Sequence, residues 1–289
     1  MIDQPSPATG ADSGRGYPSG GWRRLQRPGA LLWASTIVLL GFILVPLLAI
    51  FLRGFEDGQL VRPLGDPVVQ EALTLSLITT AVSLVVSVLF GTPTAYLLAR
   101  HRFRGRSVIL TLIDLPMVLP PAVAGIALLI AFGRRGVLGP TLSDLFGIEL
   151  PFTMAAVVMA QTFVAMPLYV RSARAGFETI DDEHLQIAAT MGLSRFTIFR
   201  VITLPLTLPA LLSGAVLTWA RALGEFGATI MFAGNFIGRT QTMPLAIYQS
   251  LEGGDLSTAI ALSGILIVVS FTVLVIFQVL TRSASSMVR

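Results

Sequence analysis

Polar and charged positions interrupt the chain rarely, and between them lie six apolar runs, at residues 30–52, 73–98, 108–132, 152–170, 206–233 and 258–280. Each has about the 20 residues that a helix needs to cross roughly 30 Å of hydrocarbon. The pattern predicts an all-α integral membrane protein with six transmembrane helices. Prolines fall inside these runs at Pro46, Pro93, Pro116, Pro120, Pro121, Pro167 and Pro209. In a water-soluble helix each would remove a hydrogen bond and break the helix, whereas in a membrane bundle neighbouring helices or cavity water satisfy the freed carbonyls. Such breaks are expected to line a pathway. Asp114-Leu115-Pro116 followed by Pro120-Pro121 marks a broken helix rather than an acid catalyst.

The polar remainder sets the organisation. Residues 1–28 are rich in Gly, Ser, Pro and Asp and carry too little apolar surface to offset chain entropy, so a disordered tail is expected there. Arg23, Arg24 and Arg27 precede the first run as in a signal peptide. That run nevertheless exceeds the roughly 7–15 residues of a signal-peptide core, and no small-residue cleavage motif follows, so an uncleaved first span is expected. Tyr17, Trp22 and Trp33 fit interfacial anchoring. The expected division is a tail at 1–28, a first span with its outer loop at 29–68, a core of five spans at 69–281 and a second tail at 282–289. Arginine orients the spans. The tail, the loop with Arg100, Arg102, Arg104 and Arg106, the segment with Arg171, Arg174, Arg195 and Arg200, and the end with Arg282 and Arg289 alternate so as to share one side. The opposite loops mix Arg53, Arg62, Arg134, Arg135 and Arg239 with acidic residues. The positive-inside rule then puts both termini in the cytoplasm. No internal repeat is evident, although breaks in the third and fifth runs would conceal one.

Composition narrows the chemistry. Of 289 residues 54% are hydrophobic and 12% charged, with net charge +4. The arginines sit between apolar runs as topology signals rather than in a nucleic-acid-binding patch, so no nucleic acid is expected as a partner. All twenty basic residues are arginine. The phosphate-binding loop G-x-x-x-x-G-K-[ST] is therefore absent, because its lysine is what reaches the β and γ phosphates. There is no cysteine, and His101 and His184 are too few for a metal site, so no metal or other cofactor is expected on this chain. Neither histidine lies in a span and no G-x-S-x-G occurs, which argues against an intramembrane enzyme.

Two segments carry candidate function. Between about Arg171 and Val201 the chain is amphipathic. Asp181 and Asp182 suit the start of a short helix, Leu185, Ala188 and Ala189 share one face, and Gly192 suits a C-terminal stop. Such a helix docks in a partner's groove or lies on the lipid surface. The second segment is Arg221-Ala222-Leu223-Gly224-Glu225-Phe226-Gly227-Ala228-Thr229, in the fifth run. Charges near mid-bilayer cost roughly 2.5–3.5 kcal/mol each and need partners or a polar cavity. Arg221 and Glu225, four apart, share a helical face and can pair, with Asp114 of the third run as another partner. Either they only neutralise one another or this face lines a polar path. Gly224 and Gly227 would permit close helix approach.

Gln186-Ile187-Ala188-Ala189-Thr190-Met191-Gly192, with Ile202-Thr203-Leu204-Pro205 beginning ten residues after the glycine, resembles the EAA motif of permease subunits of bacterial ABC importers. Ala188, Gly192, Ile202, Leu204 and Pro205 keep the motif's register, while Gln186 stands for its Glu and Ile187 for its first Ala. The resemblance implies a type I importer permease fold in which this coupling helix, with Glu183, Gln186, Ala188, Ala189, Gly192, Leu193 and Pro205, fits a cleft of a cytoplasmic ATPase subunit. Residues 222–235 and 238–248 are similar to the molybdate branch of the molybdate and sulfate permeases, a likeness running from about Val69 to Leu280. It implies a homodimeric permease in membrane lipid, two ATPase subunits carrying ATP and Mg, and an extracytoplasmic oxyanion-binding protein. Molybdate is the preferred cargo, with tungstate and sulfate as alternatives. Some relatives carry a C-terminal molybdenum-sensing domain, which is not expected after Leu280. The gate or translocation path would comprise Arg221, Gly224, Glu225, Phe226, Gly227, Thr229 and Asp114. Thr229, Asn235, Thr240 and Thr242 are the donors an anion path calls for, while Glu225 suits gate structure better than anion contact. An ion-coupled secondary transporter with Asp114, Arg221 and Glu225 as a relay is the rival reading, and it leaves the EAA-like spacing unexplained.

Overall fold

A computed structural model describes residues 29–56 and 65–287. The expected tail at 1–28, with Tyr17, Trp22, Arg23, Arg24 and Arg27, lies outside the described residues, as do Asp57, Arg62 and Arg289. The chain divides into two units, 1–48 and 49–289. Helix α1 (Ala30–Glu56) supplies the described part of the first, and it is apolar on every side, as lipid solvation demands.

The second unit is a helical bundle. Helix α2 (Pro67–Arg100) starts on Asp66, whose carboxylate accepts from the Val68 amide at 2.9 Å. Helices α3 (Arg106–Val118) and α4 (Pro121–Phe132) form one broken span bent by 116°. The break falls at Leu119-Pro120 because Pro120 and Pro121 cannot donate to the turn before them, whereas Pro116 is carried inside α3. A short helix α5 (Gly139–Phe146) follows, then α6 (Met154–Glu178), α7 (Asp182–Thr190) and α8 (Arg195–Ile198). A π-helical stretch, Phe199–Thr203, runs into α9 (Leu204–Leu223). Pro205 accounts for this widening: it has no amide for an ordinary turn, and the Leu204 amide instead reaches back five residues to the Phe199 carbonyl. Helices α10 (Gly227–Ala233), α11 (Met243–Glu252) and α12 (Leu256–Met287) complete the bundle.

Five single helical stretches are long and apolar enough to span, and the bent α3–α4 pair meets the same test only when its two halves are taken together. The predicted boundaries differ most in two spans. The fourth span continues two turns past Val170 to Glu178, because Arg171 finds the Asp114 carboxylate of α3 and Arg174 finds Glu178 one turn on, instead of forming a loop. The fifth span stops at Leu223 rather than 233, since α10 is a separate helix, and it begins at Arg195.

Packing follows side-chain size. Ser76, Thr80, Ser83, Ser87, Gly91 and Ala95 are buried along one stripe of α2. A Cβ on Gly91 would lie 2.7 Å from the Tyr169 ring of α6. Ser83 with Thr162 at 2.9 Å and Thr92 with Tyr169 at 2.7 Å join the same two helices. Such bonds average only about 0.6 kcal/mol, so close packing of small residues contributes more. Helix α9 meets α6 in the same way: the Ser172 hydroxyl donates to the Ala210 carbonyl at 2.8 Å, and a Cβ on Gly176 would lie 2.4 Å from Ala210. The two half-helices that follow breaks, α4 and α10, also cross closely. A Cβ on Gly125 would lie 2.7 Å from the Ala228 carbonyl oxygen, and one on Gly227 would lie 2.6 Å from Pro121. Gly224 has only open space, its nearest atom being 3.7 Å away, so of the two glycines expected to admit a neighbour only Gly227 does.

Replacing Gly125 with Leu should destabilise the detergent-solubilised protein by about 1–3 kcal/mol, the usual range for overpacking, whereas Gly224→Ala should leave its thermal unfolding midpoint nearly unchanged. Differential scanning fluorimetry of the two variants checks this.

Candidate functional site

The helix is interrupted at Gly224-Glu225-Phe226. Gly224 closes α9 through its amide to the Ala220 carbonyl, and the Glu225 amide reaches the Ala222 carbonyl at 3.1 Å. Phe226 then has φ −128° and ψ −55°, outside the helix, and α10 starts at Gly227. The Glu225 side chain is 1% exposed and divides its two oxygens. Oε2 pairs with Arg221 Nη1 at 2.7 Å, and Oε1 accepts from the Ala228 amide at 2.9 Å. A buried carboxylate is tolerated only when its charge and its lone pairs both find partners. Here arginine supplies the charge, and a free amide at the start of α10 supplies the hydrogen bond. Glu225 is thus the capping residue of α10 as well as the partner of Arg221. The arginine is about one-third exposed, so its remaining donors are open to whatever occupies that space.

Around this break the other candidates separate. Phe226 packs on Tyr248 of α11, ring centroids 5.0 Å apart. The Tyr248 hydroxyl donates to Glu252 at 2.5 Å, and that hydrogen bond, followed by the carboxylate's charge, raises the phenol above its ordinary value. Thr229 is buried, and its hydroxyl has no partner among the described residues; the same holds for Thr218 of α9 and Gln161 Oε1 of α6, which the sequence did not single out. Thr240 is consumed by a turn: its hydroxyl accepts from the Phe236 amide at 3.0 Å and donates to the Gly234 carbonyl at 3.4 Å. Asn235 and Gln241 both donate to Gln249 Oε1. Asp114 does not join Arg221. It lies on α3 and binds Arg171 of α6 through two parallel contacts, Nε to Oδ1 at 2.9 Å and Nη2 to Oδ2 at 3.1 Å.

The second candidate is α7. Asp181 occupies the N-cap position without a side-chain capping bond, and Asp182 and Glu183 occupy the first turn, where the helix dipole favours carboxylates. Its C-terminus is a complete Schellman motif: Gly192 has φ +85°, its amide reaches the Ala189 carbonyl at 3.0 Å, and the Leu193 amide reaches the Ala188 carbonyl at 3.3 Å. Leu185 and Ala188 face inward, while Ala189 is exposed, one position round the helix from the face expected for it. The outward surface is apolar at Ile187, Met191, Leu193 and Phe196, of which Met191 and Phe196 are more than 70% exposed.

Residues 88–286 match the family described as binding-protein-dependent transport system inner membrane component. The chain belongs to this family. It is a multi-pass inner-membrane permease, similar to the molybdenum transport system permease protein ModB of Mycobacterium tuberculosis, with 46% identity over 79% of this chain and 86% of that one. It is also similar to the sulfate transport system permease protein CysW of Synechococcus elongatus, with 35% identity over 78% and 79%. A bacterial alginate ABC transporter crystallised with its pentasaccharide-bound periplasmic protein has the same fold, with TM-score 0.71 over 88% of this chain and 93% of that one at 16% identity. The fold of the permease is that of the type I ABC importers.

Two arginines in the permease gain roles that only the tertiary structure reveals. Arg106 binds the Leu98 carbonyl at 2.6 Å and Glu178 at 2.9 Å, bracing the ends of α2, α3 and α6. Arg100 reaches the segment that begins α7. Both were legible only as topology signals, because their acidic partners lie more than seventy residues away in sequence.

Removing Arg221 strands a carboxylate that solvent does not reach, whereas Glu225→Gln keeps an oxygen for the Ala228 amide. Arg221→Met should therefore cost about 3–5 kcal/mol and Glu225→Gln about 1 kcal/mol. Thermal unfolding in detergent should rank them in that order.

Proposed function

We propose that this permease imports molybdate, driven by ATP hydrolysis on a separate subunit. The observation that carries the reading is its 46% identity, over 79% of its length, to a molybdenum transport permease. Tungstate is the alternative dianion. Sulfate is the second reading, favoured by the likeness to the sulfate permease of Synechococcus elongatus.

In this reading both termini and α7 lie in the cytoplasm. Two copies of the chain form the pathway, each docked by α7 on one of two ATPase subunits, which bind ATP and Mg; this chain binds no cofactor. The exposed apolar surface of α7 and α8, together with the fixed spacing from Ala188 and Gly192 to Pro205, supports α7 as the coupling helix. An extracytoplasmic binding protein selects and delivers the oxyanion. The gate is the α9–α10 break, with Arg221, Gly224, Glu225, Phe226, Gly227 and Thr229, while Asp114 stabilises α3 against α6. Nucleotide drives the cycle only insofar as it favours one arrangement of the dimer over the other. Because Glu225 is already committed to Arg221 and α10, it serves the gate's structure, and the open donors of Arg221 are what an anion meets in passing.

With the complete transporter, molybdate on its cognate carrier should stimulate ATP hydrolysis and sulfate should not; stimulation by sulfate alone overturns the substrate assignment. Met191→Glu combined with Phe196→Glu, which sets two charges on the docking surface, should abolish co-purification of the ATPase subunit. Retained co-purification counts against α7 as its dock.

A further inference from the structure

Arg100 is the last residue of α2, where the negative end of the helix dipole favours a cation. Its side chain is 11% exposed. One nitrogen, Nη1, donates to the Ile180 carbonyl at 3.0 Å and to Asp182 Oδ1 at 2.8 Å. Ile180 lies two residues before α7 and Asp182 begins it, so a single atom of α2 grips backbone and side chain of one junction. The other donors tell a different story. Nε and Nη2 are buried and have no partner among the described residues. A guanidinium presents its five N–H groups in a rigid fork, and burying part of that fork unfilled is unfavourable unless an acceptor arrives in another arrangement.

Such an acceptor lies close by. A cavity of about 520 Å³ is bordered by Arg100, Thr179, Asp181 and Asp182. Asp181, at the N-cap position of α7, makes no capping bond with its carboxylate. Arg100 and a carboxylate not engaged in capping therefore border the same space. Arg106 provides the contrast: it binds Leu98 and Glu178, both on span ends, and so braces spans to one another without touching α7.

We propose that Arg100 is the positioning residue that carries displacement of α7 into α2, exchanging Asp182 for Asp181 as α7 turns so that the link persists in both arrangements. The proposal rests on α7 being the element that docks on the ATPase subunit. Rotation of α7 about its own axis moves successive residues past a fixed point on α2, and adjacent carboxylates give the fixed guanidinium a partner before and after the turn. The Ile180 carbonyl holds the junction during the exchange.

The test uses the complete transporter in proteoliposomes, with molybdate as the probe. The chain has no cysteine, so Gln186→Cys, on the exposed side of α7, reports docking by cross-linking to a cysteine placed in the ATPase subunit. Arg100→Gln should keep the cross-link while lowering both molybdate uptake and carrier-stimulated ATP hydrolysis about tenfold, within the usual range of coupling between sites. Asp181→Asn and Asp182→Asn, each losing the link in one of the two arrangements, should each lower both activities in part, and the double variant should fall to the Arg100→Gln level. The proposal is overturned if Arg100→Gln leaves stimulation unchanged, if it abolishes the cross-link and so merely misplaces α7, or if the double variant is no worse than the singles. Failure of the cross-link with Arg100 intact would instead remove the docking reading on which the proposal stands.

Discussion

The buried carboxylate of Glu225, held between the Arg221 guanidinium and the Ala228 amide of α10, makes the broken helix sustainable. A span that stops inside hydrocarbon leaves backbone groups without partners, and each such group costs several kcal/mol where no water is at hand. One side chain answers both needs, since it caps the helix that follows and neutralises the arginine of the helix that precedes. With the break stabilised, α10 can lie against α4, itself the second half of a broken span. Gly125 and Gly227 let the two backbones approach to a distance that any larger residue would prevent. The centre where α4 meets α10 is thus assembled from two interruptions that stabilise one another.

The proposed route of energy to this centre is short in covalent terms. From Ser194, whose hydroxyl caps α8 by accepting from the Thr197 amide at 3.2 Å, the chain runs through the π-helical stretch into α9 and reaches Arg221 without leaving the helix. In the proposed cycle, displacement at α7 and α8 would bear on the proposed gate along one nearly continuous rod of 29 residues. That rod is seated on α6 by small residues, Gly176 and Gly214, with the Ser172 hydroxyl bound to a backbone carbonyl. Such a contact permits sliding without opening a large cavity. The π-helical stretch beside Pro205 is where the rod can change its winding at least cost.

The spans were legible because length and apolarity alone decide what crosses a bilayer, and the third run's break was legible from paired prolines. Gly192 was legible as a stop because the left-handed conformation admits few other residues. The helix break at Gly224 was not, since apolar residues continue to Ala233 and hydropathy does not register an interruption of the backbone. The length of α6 escaped for the opposite reason: Arg171 and Arg174 suggest a loop until Asp114 and Glu178 are seen beside them. Thr240 was a sound candidate donor by residue type, but its hydroxyl is used within the turn that contains it. Arg221 and Glu225 could be paired from their spacing, whereas the Ala228 amide as third member depends on the helix break, which the sequence pattern concealed.

The central claim is that this chain moves its solute only when a separate ATPase acts on it. Molybdate uptake into proteoliposomes, measured with the permease alone under an imposed ion gradient and with the ATPase subunit, binding protein and ATP added, tests that directly. Uptake confined to the complete, ATP-supplied system is the predicted result. Accumulation by the permease alone would contradict the account and make Asp114, Arg221 and Glu225 candidates for an ion-coupled relay.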